Sequence, residues 1–272
     1  MMLFVKTTNK GEFIMKKLIA ILLVLVMVLA VAGCTKPVET PDGSTNGTTA
    51  GTEPKSDVMT HEQYMAAAKD AKVVVETYVQ ATQSWWDNKI TAYCQSKDGA
   101  FFAYEMACSQ EDAAKLVPGT KIKITGTKGE WSGEIEIMDG KFEFVEGGDT
   151  YIAEALDATA LLGTDDLIKH QNEKVAFKGM TVAASKDKEG NEHAFLYNWD
   201  GSGSADSDSD LYFNVSVNDK TYTFCVEYYL CGPDTDAYKA VQALKVGDVI
   251  DAEGFLYWYE GVQPHITAIT VK

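Results

Sequence analysis

The chain is 272 residues long and carries a formal net charge of −16, with 40 acidic residues against 24 basic ones, and every basic residue is lysine. That length supports two cores of ordinary small size once terminal segments are set aside. An acidic surface without arginine repels polyanions at long range and lacks the planar fork that reads phosphates and base edges, so nucleic acid is a disfavoured partner, although a locally neutral groove could still hold a strand.

In chain order, Met15 with Lys16 and Lys17 opens a basic stretch and reads as a better initiator than Met1. The apolar run Leu18–Val31 follows, too short to span a bilayer comfortably and suited to a signal-peptide core. The next residues, Leu29 Ala30 Val31 Ala32 Gly33 Cys34, resemble the lipobox of bacterial lipoproteins. This resemblance implies that residues 1–33 are a cleaved signal peptide and that the Cys34 thiol carries a diacylglycerol. The protein would then be extracytoplasmic, held to the bacterial cell membrane by the lipid on its mature N-terminus. Residues 1–33 hold a net +3, which leaves −19 for the remainder. Residues 34–57, rich in Thr, Gly, Pro and Ser, show no apolar periodicity and read as a flexible tether.

The first folded domain is expected over 58–148. Thr60 and Gln63 have the spacing of a capping box, and the alanine cluster after Tyr64 predicts a short helix reaching toward Lys72. Lys72–Thr82 alternates as a strand, a loop holds Trp85 and Trp86, and Ile90–Gln95 meets Phe101–Ala107 across a turn at Asp98 Gly99. Ser109 with Asp112 caps a helical turn, and strands follow at Gly119–Thr125 and Glu134–Ile137. Residues 149–173 predict a connecting helical segment, with an apolar stretch at Ala155–Leu162 and Thr164 capping Asp165–His170.

A second domain is expected over 174–272, because the pattern returns at a constant offset. Gly119, Gly126 and Gly133 fall on Gly247, Gly254 and Gly261, while Ile122 falls on Ile250 and Trp131 on Tyr259. Cys108 and Cys231 each close the third strand of their copy. Beyond Cys34, the cysteines are Cys94, Cys108, Cys225 and Cys231. An even number outside the cytoplasm permits disulfides. Free thiols packed as small apolar groups are the equal alternative, since Cys225 and Cys231 in one straight strand would stand about 20 Å apart.

The order strand, strand, strand, helix, strand, strand in both copies is similar to the OB-fold, and the segments 119–126 and 246–254 resemble its fourth-strand signature. The expected fold is therefore all-β with short helices, two tandem five-stranded OB-fold-like barrels. The resemblance implies a binding face on the second and third strands, bounded by the loops from strand one to two and from strand four to five. Domains of this kind bind oligonucleotides, oligosaccharides or proteins there, and the fold does not choose among them.

Aromatic residues fall where that groove is expected. In the first copy these are Trp85 and Trp86 in the one-to-two loop, Trp131 in the four-to-five loop, and Tyr93 opposite Tyr104 as a floor. In the second copy they are Tyr197 and Trp199 near the end of strand two, Tyr212 near the start of strand three, and Trp258 with Tyr259 in the four-to-five loop. Core packing is the competing reading for the four tyrosines Tyr93, Tyr104, Tyr197 and Tyr212, because alternation assigns a face only when the register is right.

The acidic run Asp200–Asp210 lacks the glycine and the twelfth-position carboxylate of an EF-hand, Val217 standing there, and reads as a solvated hairpin tip. His61, His170, His193 and His265 stand apart, with no metalloprotease, nucleophile-elbow or phosphate-loop motif around them. No catalytic residue, metal site or cofactor is expected. The leading reading is a non-catalytic, lipid-anchored binding protein for a glycan, peptide or protein partner. A single-stranded nucleic-acid binder and a structural spacer on the cell surface are the alternatives.

Overall fold

Alternating apolar positions shape the folded part of the chain, for which a computed structural model describes residues 57–272. The expected signal peptide, the expected lipid site at Cys34 and nearly all of the expected tether lie outside those residues. Among the described residues no helix is long and apolar enough to cross a membrane.

Helix α1 (His61–Ala66) opens with the expected capping box: Thr60 Oγ1 accepts from the Gln63 N–H at 3.2 Å, and Gln63 Oε1 accepts from the Thr60 N–H at 2.9 Å. It stops at Ala66 rather than running toward Lys72. Lys128 Nζ donates to the Met65 and Ala67 carbonyls at 2.6 and 2.9 Å, so a buried cation satisfies the helix end. Strands β1 (Lys72–Thr82), β2 (Lys89–Ser96) and β3 (Gly99–Ala107), the short helix α2 (Gln110–Ala113), β4 (Lys121–Trp131) and β5 (Glu134–Phe144) then close a barrel in the order β1-β2-β3-β5-β4. Its inside is filled by Val73, Val75, Val79, Phe101, Ile122, Ile124 and Ile137, with Tyr64 of α1 among them.

The β2–β3 hairpin turns at Lys97–Asp98, one residue earlier than expected, so Ser96 pairs with Gly99 and Tyr93 faces Phe102 instead of Tyr104. Gly99 is taken up by a close approach: a Cβ there would sit 2.2 Å from the His61 ring. Strand β4 continues through Gly126, where the register shifts and a Cβ would meet the Ile137 side chain at 2.5 Å. Trp131 is thus the last residue of β4, beside the tight turn Ser132–Gly133.

The connection is not the expected helix. It contains a short strand β6 (Leu156–Asp157), parallel to the strand that follows, and single 3-10 turns at Thr159–Leu161 and Leu167–His170. Gly163, at a left-handed φ of 78°, separates the two turns, while Leu162 and Leu167 enter the second core.

The second copy comprises β7 (Lys174–Ala183), a β8–β9 ribbon (Ser185–Lys186 and Glu192–His193), β10 (Leu196–Tyr197), β11 (Leu211–Val217), β12 (Lys220–Val226), α3 (Asp236–Ala243), β13 (Val249–Phe255) and β14 (His265–Val271). Its barrel closes in the same circuit, β7-β11-β12-β14-β13 with β7 also paired to β11. The chain is therefore two five-stranded closed barrels in tandem.

The glycines in register perform matched tasks. Gly119 and Gly247 have φ of 90° and 96°, and each donates its N–H to the first strand of its own barrel, at Val79 and Val182. Gly254 sits at the bulge corresponding to Gly126, where a Cβ would lie 2.1 Å from the His265 carbonyl oxygen.

One strand assignment in the second copy changes. The hairpin between its second and third strands turns at Asn218–Asp219, both at positive φ, which is the geometry of a type I′ turn. Tyr197, Trp199 and the run Asp200–Asp210 therefore belong to the long loop joining strands one and two, and Tyr212 lies in strand two. Asn and Asp tolerate positive φ, so the turn forms without the glycine that usually advertises it. Within the acidic loop Ser204, Ser207 and Ser209 bond one another. Among the described residues there is no group of three or more His, Cys, Asp or Glu that could hold a metal ion. Cys94, Cys108, Cys225 and Cys231 are all free thiols, each buried.

Candidate ligand groove between the barrels

The two barrels share a seam with its own apolar centre, Tyr93 and Phe102 of the first against Phe255 of the second. Tyr93 and Phe255 stack with ring centroids 4.6 Å apart. Around that centre run bonds from barrel to barrel. Ser84 donates its N–H to the Tyr229 carbonyl at 2.7 Å, Glu260 donates to the Ser132 carbonyl at 2.7 Å, and Glu134 Oε2 accepts from the Trp258 N–H at 2.9 Å. The one-to-two and four-to-five loops of the first barrel thereby grip the second.

Above the seam lie two adjoining clefts of about 380 and 650 Å³ that share Gln83, Tyr104 and Glu227. Trp86, 68% exposed, lines the smaller one. The larger is lined by Trp131 and Trp199, 60% and 76% exposed, with Tyr104, Tyr257 and Tyr259. The structure thus brings Trp86, Tyr104, Trp131, Trp199 and Tyr259 to one groove. Three of the expected residues stand elsewhere. Trp85 is half-buried against the first core and donates Nε1–H to the Cys108 carbonyl at 2.9 Å. Trp258 packs on the second core and over Gly133. Tyr93 is 1% exposed in the seam, because the neighbouring barrel covers the strand face that an isolated barrel would show.

Polar groups on the groove floor escaped the sequence reading. Glu227 follows β12 directly; its Oε1 and Oε2 accept the N–H groups of Tyr229 and Leu230 at 3.2 and 2.6 Å. Burial, reinforced by the Asp210 charge, pushes its carboxyl up to about 7. Asp210 Oδ1 accepts from the Tyr228 N–H at 2.8 Å, and burial raises this carboxyl as well. His265 is held neutral by burial, which lowers it to about 3, and its Nδ1 lies 2.6 Å from Tyr93 Oη. The only sequence signal for these residues was their place at strand ends, where a charge or histidine is unremarkable.

The remaining histidines have local partners: His170 with Glu173, His193 with Asp187, and His61 edge-on to Phe101. The one lysine lining the groove, Lys89, is bonded to Glu105 at 2.7 Å. What this arrangement can do is hold a ligand between aromatic faces over an acceptor-rich floor.

No family of known proteins matches the sequence, and no curated protein matches it. Solved structures give faint likenesses. The crystal structure of the p204 HINb domain has a TM-score of 0.35 at 10% identity, over 76% of this chain and 100% of that one. The Ifi202 HINa domain in complex with 20bp dsDNA has a TM-score of 0.34 at 9% identity, over 74% and 98%. A replication protein A heterotrimer bound to ssDNA has a TM-score of 0.29 at 8% identity, over 76% and 50%. Scores of this size carry no argument about function. The chain's own topology defines its class, a tandem pair of OB-type barrels joined along a seam.

Proposed function

We propose that this chain is a non-catalytic binding protein that takes an uncharged or cationic ligand, a glycan, peptide or partner-protein segment, into the groove between its barrels. The observation that carries the reading is the convergence of Trp86, Trp131 and Trp199, three widely separated exposed indoles, on one groove at the seam. Exposed aromatics grouped together mark interaction surfaces. Anchoring through a lipid on Cys34, outside the cytoplasm of a bacterium, completes the proposal and rests on the lipobox resemblance alone.

Single-stranded nucleic acid remains the second reading, because open indole faces also stack bases. Against it stand Asp210, Glu227, Glu105 and Glu260 along the groove, which would face a phosphate backbone with like charge. A glycan and peptide array followed by titration tests the first reading: replacing Trp131 and Trp199 together by Ala should weaken binding at least tenfold while the melting temperature stays within a degree or two. Unchanged affinity in that variant removes the groove from the proposal. Salt separates a strand from an uncharged glycan, since phosphate contacts make binding fall steeply between 50 and 200 mM whereas stacking on a neutral glycan does not.

A further inference from the structure

Resting on that groove reading, we infer that the ligand is an oligosaccharide carrying free amino groups, its sugar faces laid on the exposed indoles and one ammonium seated between Glu227 and Asp210. The case begins with hydrogen-bond bookkeeping. Glu227 and Asp210 each have lone pairs left over after their backbone N–H partners, the Gln83 side chain on Glu227 and the Tyr212 hydroxyl at 3.5 Å from Asp210 Oδ2 are counted. Lys89 is engaged by Glu105. The carboxyl groups of Glu227, Asp210 and Glu260 thus gather acceptors along one cleft, and their complement is a cation or an N–H or O–H donor.

His265 supplies a second, independent pointer. It is 7% exposed, lines the larger cleft, and has a hydrogen bond at Nδ1 but none at Nε2. Whichever of Tyr93 Oη and His265 Nδ1 gives the proton, Nε2 keeps a hydrogen-bonding site of its own. A hydrogen-bonding site beside these carboxyl groups suits a sugar, whose hydroxyls and ring oxygens serve as donors and acceptors. An extended peptide presents N–H and C=O in equal number and would leave carbonyls facing carboxylates. The exposed faces of Trp131, Trp199 and Tyr259, arrayed along an open cleft, match the flat C–H faces of successive sugar rings, and an ammonium near such rings gains cation–π attraction in addition to its charge-assisted bonds.

The test is calorimetric titration of the full chain with a glucosamine hexasaccharide, its fully N-acetylated counterpart and a lysine hexapeptide. The amine sugar should bind at least tenfold more tightly than either, and Glu227→Gln should erase its advantage over the acetylated form. Asp210→Asn serves as the second variant should Glu227→Gln fold poorly. Equal affinity for the two sugars overturns the ammonium site and leaves the groove reading standing. A lysine hexapeptide that binds as well as the amine sugar overturns the saccharide assignment. Binding of none of the three overturns this inference, and sugar binding indifferent to loss of Trp131 and Trp199 brings down the groove reading with it.

Discussion

Trp85 and Trp86 are neighbours in sequence and opposites in role. Trp86 stands in solvent at the groove, while Trp85 lies on the first core with its Nε1–H bonded to Cys108. Trp85→Ala should therefore cost about 3 kcal/mol in chemical unfolding, whereas Trp86→Ala should leave the unfolding midpoint in place and reduce ligand binding. Glu134 makes a different residue-scale case. It is fully buried at the seam, its Oε2 accepts from the Trp258 N–H and its Oε1 has no partner. Desolvation raises its carboxyl to about 8. Because the unfolded chain releases this proton near the ordinary carboxylate range, the folded state holds one more proton between roughly pH 4.5 and 8. Its stability contribution is whole at acid pH and is lost as pH rises through about 8. Glu134→Gln, which keeps the acceptor, should match the parent near pH 4.5 and exceed it at pH 9 by on the order of 4 kcal/mol, read from denaturant curves at both values. A variant that is less stable at pH 9 would refute the assignment.

At the scale of elements, the bulges at Gly126 and Gly254 turn the fourth strands so that each pairs with two neighbours around a small barrel. The two positions are not equally tolerant. A methyl group at 126 meets Ile137 Cγ2 at 2.5 Å and the Met138 carbonyl oxygen at 2.9 Å, whereas at 254 all the nearest atoms are backbone, the His265 carbonyl and Ile266 Cα, and the approach is closer still. Gly254→Ala should be the costlier substitution, by about 2 kcal/mol or more, and it should disturb His265 and thus the groove. Equal losses for both substitutions would show that the backbone at 254 yields. Alternation made these strands legible in sequence, and the glycine spacing marked the repeat. The exceptions have local causes: Asn218–Asp219 forms a turn without glycine, and Gly163 at positive φ parts 155–162 from 165–170, which together read as a connecting helical segment.

For the whole molecule, the seam should make the two barrels unfold as one body, in a single calorimetric transition. Phe255 is 3% exposed and stacks on Tyr93, so it belongs to neither barrel core but to the contact between them. Phe255→Ala should uncouple the barrels, turning a single calorimetric transition into two, with loss of binding as the groove walls separate. One cooperative transition in that variant would mean the backbone bonds at Ser84, Ser132 and Trp258 suffice to join them.

The number of barrels and the strand, strand, strand, helix, strand, strand order of each were present in the sequence, because period-two burial and turn chemistry act between residues close along the chain. The floor of the groove was not. Asp210, Glu227 and His265 come together when the second barrel closes, and Gln83 and Tyr104 join them only when the faces of two barrels meet, which depends on side-chain complementarity across the chain, from Tyr93 to Phe255. The same burial hid Tyr93, since no local pattern can say that an exposed strand face will be covered by a second copy of its own fold.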